Sequence, residues 1–133
     1  MKETLLYPIP ADGFFEWRRE GTRKQPMFIR NANDGIFAFA GLWDVWKSLE
    51  GEEVHSSAII TVAPNLLMAA IHNRMPAMLE KENEAAWLRG ENRDMDAPLA
   101  LLHPYPENGM EAYPVSRRIN SPTGNEPDFI NPL

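Results

Sequence analysis

The feature that most constrains this chain is the aromatic run Gly13-Phe14-Phe15-Glu16-Trp17-Arg18-Arg19, entered through Pro10-Ala11-Asp12. Aromatic residues at adjacent positions suit a strand that buries both faces at one end, and the Pro and Gly residues before them mark a turn. Glu20 to Lys24 reads as a hairpin loop and Gln25 to Arg30 as the return strand. Glu16 stands out, because a strand that packs Phe14, Phe15 and Trp17 has no packing use for a carboxylate. An acid in such a place is either paired or set for proton transfer, since apolar surroundings raise a carboxyl pKa.

The rest of the chain reads as short elements separated by turns. Asn33-Asp34-Gly35 is a turn signal. Ile36 to Leu42 is apolar at successive positions and is expected to be a central strand. Trp43 to Leu49 is expected as a short helix closed by Glu50-Gly51-Glu52, and Val54 to Val62 as a strand entering the core at Ile59 and Ile60. A helix is expected from Pro64 to Ala70, a short strand from Pro76 to Leu79, and a helix from Glu80 to Leu88 with Ala85, Trp87 and Leu88 inward. Asp96 to Leu102 reads as another helix, capped by Asp96. Tyr113 to Arg117 is a last strand, and residues 121–133 read as a C-terminal tail. The fold class expected is α+β, a twisted and mainly antiparallel sheet with short helices, in a single domain over residues 1–133.

Composition narrows the function classes. Twelve prolines and eight glycines favour a loop-rich domain over a helix bundle. With no cysteine among the 133 residues, disulfides, thiolate metal sites and a cysteine nucleophile are excluded within them. The three histidines, His55, His72 and His103, lack metal-ligand spacing, so neither a metal nor a cofactor is expected. No run resembles a signal peptide or a membrane span, so a cytoplasmic protein without membrane contact is expected. The net charge of −6 argues against a surface that grips nucleic acid everywhere. Its cations are nevertheless gathered in Arg18, Arg19, Arg23, Lys24 and Arg30, at Arg74, and at Arg117 and Arg118.

Candidate chemistry centres on Glu16 and on the segment Ile71-His72-Asn73-Arg74-Met75-Pro76. An acid, an imidazole and a guanidinium together make an acid–base site with an anion holder. Each has a structural alternative. Glu16 pairs with Arg18 or Lys24 at a strand edge, His72 caps a helix, and Arg74 pairs with an acid such as Glu80. Asp12, in a turn before Gly13, is assigned a structural role. Trp17 and Trp43 are assigned to the core rather than to base stacking. Asn65 and Ser116 are expected to fix loops around the site, and Gly13 and Gly41 to permit close backbone approach.

These motifs, in this order, resemble the SRAP (SOS response-associated peptidase) family. The likeness runs through Pro10–Trp17, Phe39-Ala40-Gly41-Leu42-Trp43, Thr61, Asn65, His72–Pro76, Tyr113-Pro114-Val115-Ser116 and Asn120. It implies an SRAP-like, partial-barrel fold and a covalent reaction with abasic sites in single-stranded DNA. In that reaction an N-terminal cysteine supplies an amine for a Schiff base and a thiol that closes a thiazolidine. The same group underlies the family's autopeptidase activity. The resemblance implies proton transfer by Glu16 and His72 and DNA-phosphate binding by Arg74, and the gathering of cations adds Arg18 and Arg117 as expected phosphate contacts. It also implies that this sequence lacks the family's Met-Cys-Gly-Arg start and its Asn-Ala-Arg segment. The expectation is a domain incomplete at its N-terminal side, partnered by abasic single-stranded DNA and by a separate N-terminal segment. Two other classes stay open, a non-catalytic DNA-binding or structural remnant and a peptide hydrolase using Glu16 and His72.

Overall fold

The computed structural model describes residues 5–33, 35–89 and 96–133. Among these residues nine strands run β1 Leu5–Ala11, β2 Gly13–Glu20, β3 Arg23–Asn31, β4 Phe37–Lys47, β5 Glu53–Ile59, β6 Thr61–Val62, β7 Met75–Pro76, β8 Met78–Leu79 and β9 Met110–Pro114. Three short helices, α1 Leu66–Ala69, α2 Glu84–Arg89 and α3 Asp96–Leu99, lie among them. All pairings between these strands are antiparallel. The fold is α+β and mainly antiparallel, divided into three sheets among the described residues: β1, β4 and β5 with β8 against β4, then β2-β3-β9, then β6-β7. They do not close into a barrel.

Strand β4 organises the core. Its alternation sends Phe37 and Phe39 to one face and Ala38 and Ala40 to the other, and all four are buried. Phe37 and Phe39 join Met27, Ile29, Met68, Ile71, Met75, Met78 and Met110. Ala38 and Ala40 join Leu6, Ala77, Leu79 and Trp87. The first cluster holds the β2-β3-β9 sheet and α1 against β4. The second clamps α2, whose Trp87 is 0% exposed and donates its indole N–H towards the carbonyls of Tyr7 and Gly41 at 3.2 and 3.3 Å. Gly41 leaves room for the Ile9 side chain of β1, since a Cβ there would lie 2.7 Å from Cδ1 of Ile9.

Several elements differ from the sequence reading. Leu5–Ala11, to which the residue pattern assigns no strand, forms β1 along β4. Its Pro8 and Pro10 would break a central strand, but β1 is an end strand and can face its missing donors outward. Trp43–Leu49 is not a helix, because β4 continues to Lys47. Trp46 pairs with Val54 and Lys47 with Glu53 across a turn in which Gly51 has φ 87°. Aromatic and β-branched residues gain cross-strand partners here that a lone helical turn would not offer. The strand expected from Val54 to Val62 breaks at Ile60, whose N–H binds the Ala40 carbonyl and whose carbonyl receives the Ala77 N–H. Ile59 is 43% exposed, so only Ile60 reaches the core.

The expected 80–88 helix begins as a 3-10 turn, and of its three inward candidates only Trp87 is buried, with Ala85 and Leu88 exposed. Helix α3 is shorter than expected, and the last strand ends at Pro114. The Asp34 part of the expected turn lies outside the described residues. The hairpin loop tightens to Gly21-Thr22, with Gly21 at φ 63°. Residues 121–133 are docked rather than trailing. Phe129 is 4% exposed, the Tyr113 hydroxyl donates to the Ile130 carbonyl at 2.6 Å, and Val115 bridges Pro132.

Helix α1 begins at Asn65, whose Oδ1 accepts the Met68 N–H at 2.9 Å while its amide donates to the Tyr105 carbonyl at 2.7 Å. One side chain thus caps the helix and ties it to the loop before β9. Replacing Asn65 by Ala is expected to lower stability by about 1–2 kcal/mol, the scale of a lost cap with an added hydrogen bond. Trp87→Ala is expected to cost about 3–5 kcal/mol, the scale of a large buried aromatic. Urea unfolding of the two variants checks both values and their order.

Candidate functional site

Glu16 lies in β2 opposite Met27, on the strand parity of Phe14, whose cross-strand partner is Ile29. Phe14, Met27 and Ile29 belong to or pack on the main core, so the carboxylate stands where that core reaches solvent. Its side chain is 25% exposed. Oε1 accepts the N–H of Trp17 at 3.2 Å, which leaves Oε2 directed elsewhere. The opposite wall of this rim comes from α1. Met68 and Ile71 anchor that segment in the core, and the chain then turns outward at His72.

The fold brings these two residues together across 56 positions of sequence (from Glu16 to His72), with His72 Nδ1 3.8 Å from Glu16 Oε2. The same nitrogen lies 3.3 Å from both the N–H and the carbonyl of Arg74. When Nδ1 carries no proton it accepts the Arg74 N–H. When protonated it donates to the Arg74 carbonyl and lies within ion-pair distance of the Glu16 carboxylate. Either protonation state is served without turning the ring. Glu16 and His72 line one cleft with Trp17, Arg19, Lys24, Ile71 and Asn73, of about 390 Å³. A larger cavity of about 750 Å³ lies elsewhere, beside Pro8, Asn31, Lys81 and Tyr105, and contains none of the residues selected from sequence. Burial, and then the charges of Glu80 and Glu82, raise the pKa of its Tyr105 phenol.

None of the other selected residues lines this cleft. Arg74 pairs with no acid among the described residues. Its Nη2 donates to the Thr61 carbonyl at 2.6 Å, and its Nε and Nη2 reach the Thr61 hydroxyl at 3.3 and 3.2 Å. Nη1 takes no part in these contacts. Thr61 therefore holds the guanidinium in place beside the His72 turn while leaving one amino group for a ligand. Arg18 is engaged by Glu20 at 2.5 Å and does not line the cleft. Arg117 is exposed and has no ion pair among the described residues. Its neighbour Arg118 is bound by Glu126 and by Asp128 at 3.0 Å and covers the Phe129 ring. Those bonds, led by Asp128, raise the Arg118 pKa. Asn65 and Ser116 both cap turns. The Ser116 hydroxyl accepts the Arg118 N–H at 3.2 Å.

Two sequence assignments change. Trp17 is half-buried at the cleft and donates its indole N–H to Asn120 Oδ1 at 2.7 Å. Trp43 is half-buried against His55, with ring centroids 5.8 Å apart. The fully buried tryptophan is Trp87. Along the sequence Arg19 and Lys24 belong to the same basic cluster as Arg18. The hairpin register is the signal that separates them, because it pairs Arg19 with Lys24 beside the cleft. Among the described residues no group of three or more His, Cys, Asp or Glu could hold a metal ion. No helix there is long and apolar enough to cross a membrane.

Comparison with known proteins gives concordant matches. Residues 7–122 match the SOS response associated peptidase (SRAP) family. The chain is 47% identical over 123 residues to the abasic site processing protein YoqW of Bacillus subtilis (strain 168), covering 92% of the chain and 55% of the relative. It is 32% identical over 151 residues to the abasic site processing protein HMCES of Rattus norvegicus, covering 93% of the chain and 42% of the relative. A crystal structure of a protein from Bacteroides thetaiotaomicron superposes with a TM-score of 0.86 at 33% identity, over 95% of this chain and 56% of that one. The chain thus spans about half the length of the relatives it matches. With a family match that extends across both walls of the Glu16–His72 cleft, the chain belongs to the SRAP family.

Proposed function

We propose that this protein acts on abasic sites in single-stranded DNA. In this reading Glu16 and His72 are the proton-transfer pair of a covalent protein–DNA linkage. The observation that carries the reading is the approach of these two side chains to 3.8 Å in an open cleft, in a chain whose relatives are named abasic site processing proteins. The ring-opened abasic sugar presents an aldehyde. A primary amine adds to its carbonyl carbon to give a carbinolamine, and the carbinolamine loses water to leave an imine. Addition needs a base to remove a proton from nitrogen, and water loss needs an acid to protonate the departing oxygen. A carboxyl and an imidazole that exchange a proton across one cleft perform both tasks. A thiol that then adds to the imine carbon, returning the proton to nitrogen, closes a thiazolidine.

The 133 residues contain no cysteine, so the thiol in this scheme comes from a further polypeptide segment supplied to the site. Arg74, fixed by Thr61 with Nη1 to spare, holds a phosphate next to the reacting sugar. Arg117 and Arg18 hold phosphates further along the strand. Arg18 does so by giving up Glu20, an exposed ion pair of a kind worth only about 0–1 kcal/mol.

Two measurements test this reading. The 133-residue chain is expected to give no heat-stable adduct with an abasic oligonucleotide on a denaturing gel. Addition of the Met-Cys-Gly-Arg and Asn-Ala-Arg portion of an SRAP relative, fused or in trans, should yield one. In that completed protein, Glu16→Ala or His72→Ala should slow adduct formation or reversal by about 10²-fold or more, the scale of general acid–base catalysis. No adduct from the completed protein would favour a non-catalytic remnant. Separately, Arg74→Ala should weaken binding to single strands of any sequence alike, and should flatten the dependence of affinity on salt by about one phosphate contact. An unchanged salt dependence would remove Arg74 from the phosphate role.

A further inference from the structure

We infer that Arg19 and Lys24 form an anion-holding pair that seats one backbone phosphate of a single strand in the Glu16–His72 cleft. The inference rests on the reading proposed above and assigns it a second phosphate position, distinct from Arg74. Three observations carry it. The first is register. Arg19 and Lys24 are direct cross-strand partners in the β2–β3 hairpin, so their side chains leave the same face side by side. The neighbouring pairs are Arg18 with Gln25 and Glu20 with Arg23. A singly charged pair and an opposite-charge pair therefore flank a like-charge pair. Like charges directly opposite each other destabilise a hairpin.

The second observation is the lack of relief for that repulsion. Among the described residues neither Arg19 nor Lys24 enters an ion pair, while Arg18, Arg30, Lys47 and Arg118 all do. The third is position. Both cations line the cleft that contains Glu16 and His72, and Trp17 lines it as well. Cross-strand neighbours start about 4.5–5.5 Å apart at Cβ, a spacing from which two long side chains converge on a single tetrahedral anion. The Trp17 ring, fixed by its bond to Asn120, offers an apolar face on which an adjacent base can stack. The pair repels itself in the free protein and is neutralised by the ligand, so its electrostatic energy favours the bound state.

The test uses the 133-residue chain and a short fluorescent oligothymidine without abasic sites. Relative to the parent, the Arg19→Gln/Lys24→Gln double variant should bind about tenfold more weakly at low salt. Its salt dependence should fall by roughly 0.7 in log–log slope, the share of one single-strand phosphate. Arg19→Lys should retain the parent slope. Lys24→Glu sets an acid opposite Arg19, and should raise the melting temperature while weakening binding at least as much as the double variant. An unchanged slope in the double variant, or a lowered melting temperature in Lys24→Glu, would overturn the inference. The oligonucleotide carries no aldehyde, so this result is independent of adduct chemistry. A completed protein that makes no adduct yet binds oligothymidine through Arg19 and Lys24 would strike at the proposed reaction and support the pair.

Discussion

Everything in this domain hangs on a single strand buried on both faces. Phe37 and Phe39 face one core, Ala38 and Ala40 the other, and no residue of that quartet can turn to water without opening a cluster. Large side chains on one face and methyl groups on the other also set the spacing of the layers. The aromatic face keeps the β2-β3-β9 sheet at side-chain distance. The alanine face lets α2 come close enough for the Trp87 indole to reach backbone carbonyls of β1 and β4. A one-residue slip of β4 would exchange the two faces and fill the narrow side with phenyl rings, so the register is strongly specified.

The cleft inherits its geometry from that arrangement. Glu16 is tied to the core through the β2–β3 register, and His72 through Met68 and Ile71. Neither depends on a long loop for its position. Five methionines line the cluster between them, Met27, Met68, Met75, Met78 and Met110. Their unbranched side chains fill the irregular space where a sheet, a single helical turn and two short strands meet. Asn65 adds the polar link, because one amide joins α1 to the segment that leads into β9. The chemical groups thus sit at the rim of a packed core, where a carboxylate is only partly withdrawn from water and an imidazole is accessible.

Much of this was legible in the sequence, and the failures have physical causes. The β2–β3 hairpin and the central strand at Ile36–Leu42 rest on local patterns, turn residues and periodicity. Trp43–Lys47 misleads because its neighbours along the chain say little about its partner. Its strand character comes from Val54, Ser57 and the other residues of β5 opposite it. β1 is concealed by two prolines whose cost depends on being at a sheet end, a property of topology and not of sequence. The docked 121–133 segment is concealed in the same way. Its composition is that of a tail, while Phe129 and the bonds from Tyr113 and Arg118 hold it down. Glu16 and His72 were legible as residue types in unusual places, whereas their separation of 3.8 Å is a product of the tertiary fold.

Charge shows most clearly why sequence position and availability differ. Read along the chain, Arg18 and Arg19 are equivalent, as are Arg117 and Arg118. In the fold, Arg18 answers Glu20 and Arg118 answers Glu126 and Asp128, while their neighbours do not enter such pairs among the described residues. Alternation along a strand and capping of a turn divide each doublet into a structural cation and an open one. The net charge of −6 is therefore a poor guide to what this surface attracts. Many of the acids that produce it are spent on nearby cations or lie away from the cleft. A ligand approaching within a Debye length of about 8–10 Å responds to the local excess rather than to the total. At the Glu16–His72 cleft that excess is positive, with Arg19 and Lys24 beside a single carboxylate, which suits the polyanion proposed as its ligand.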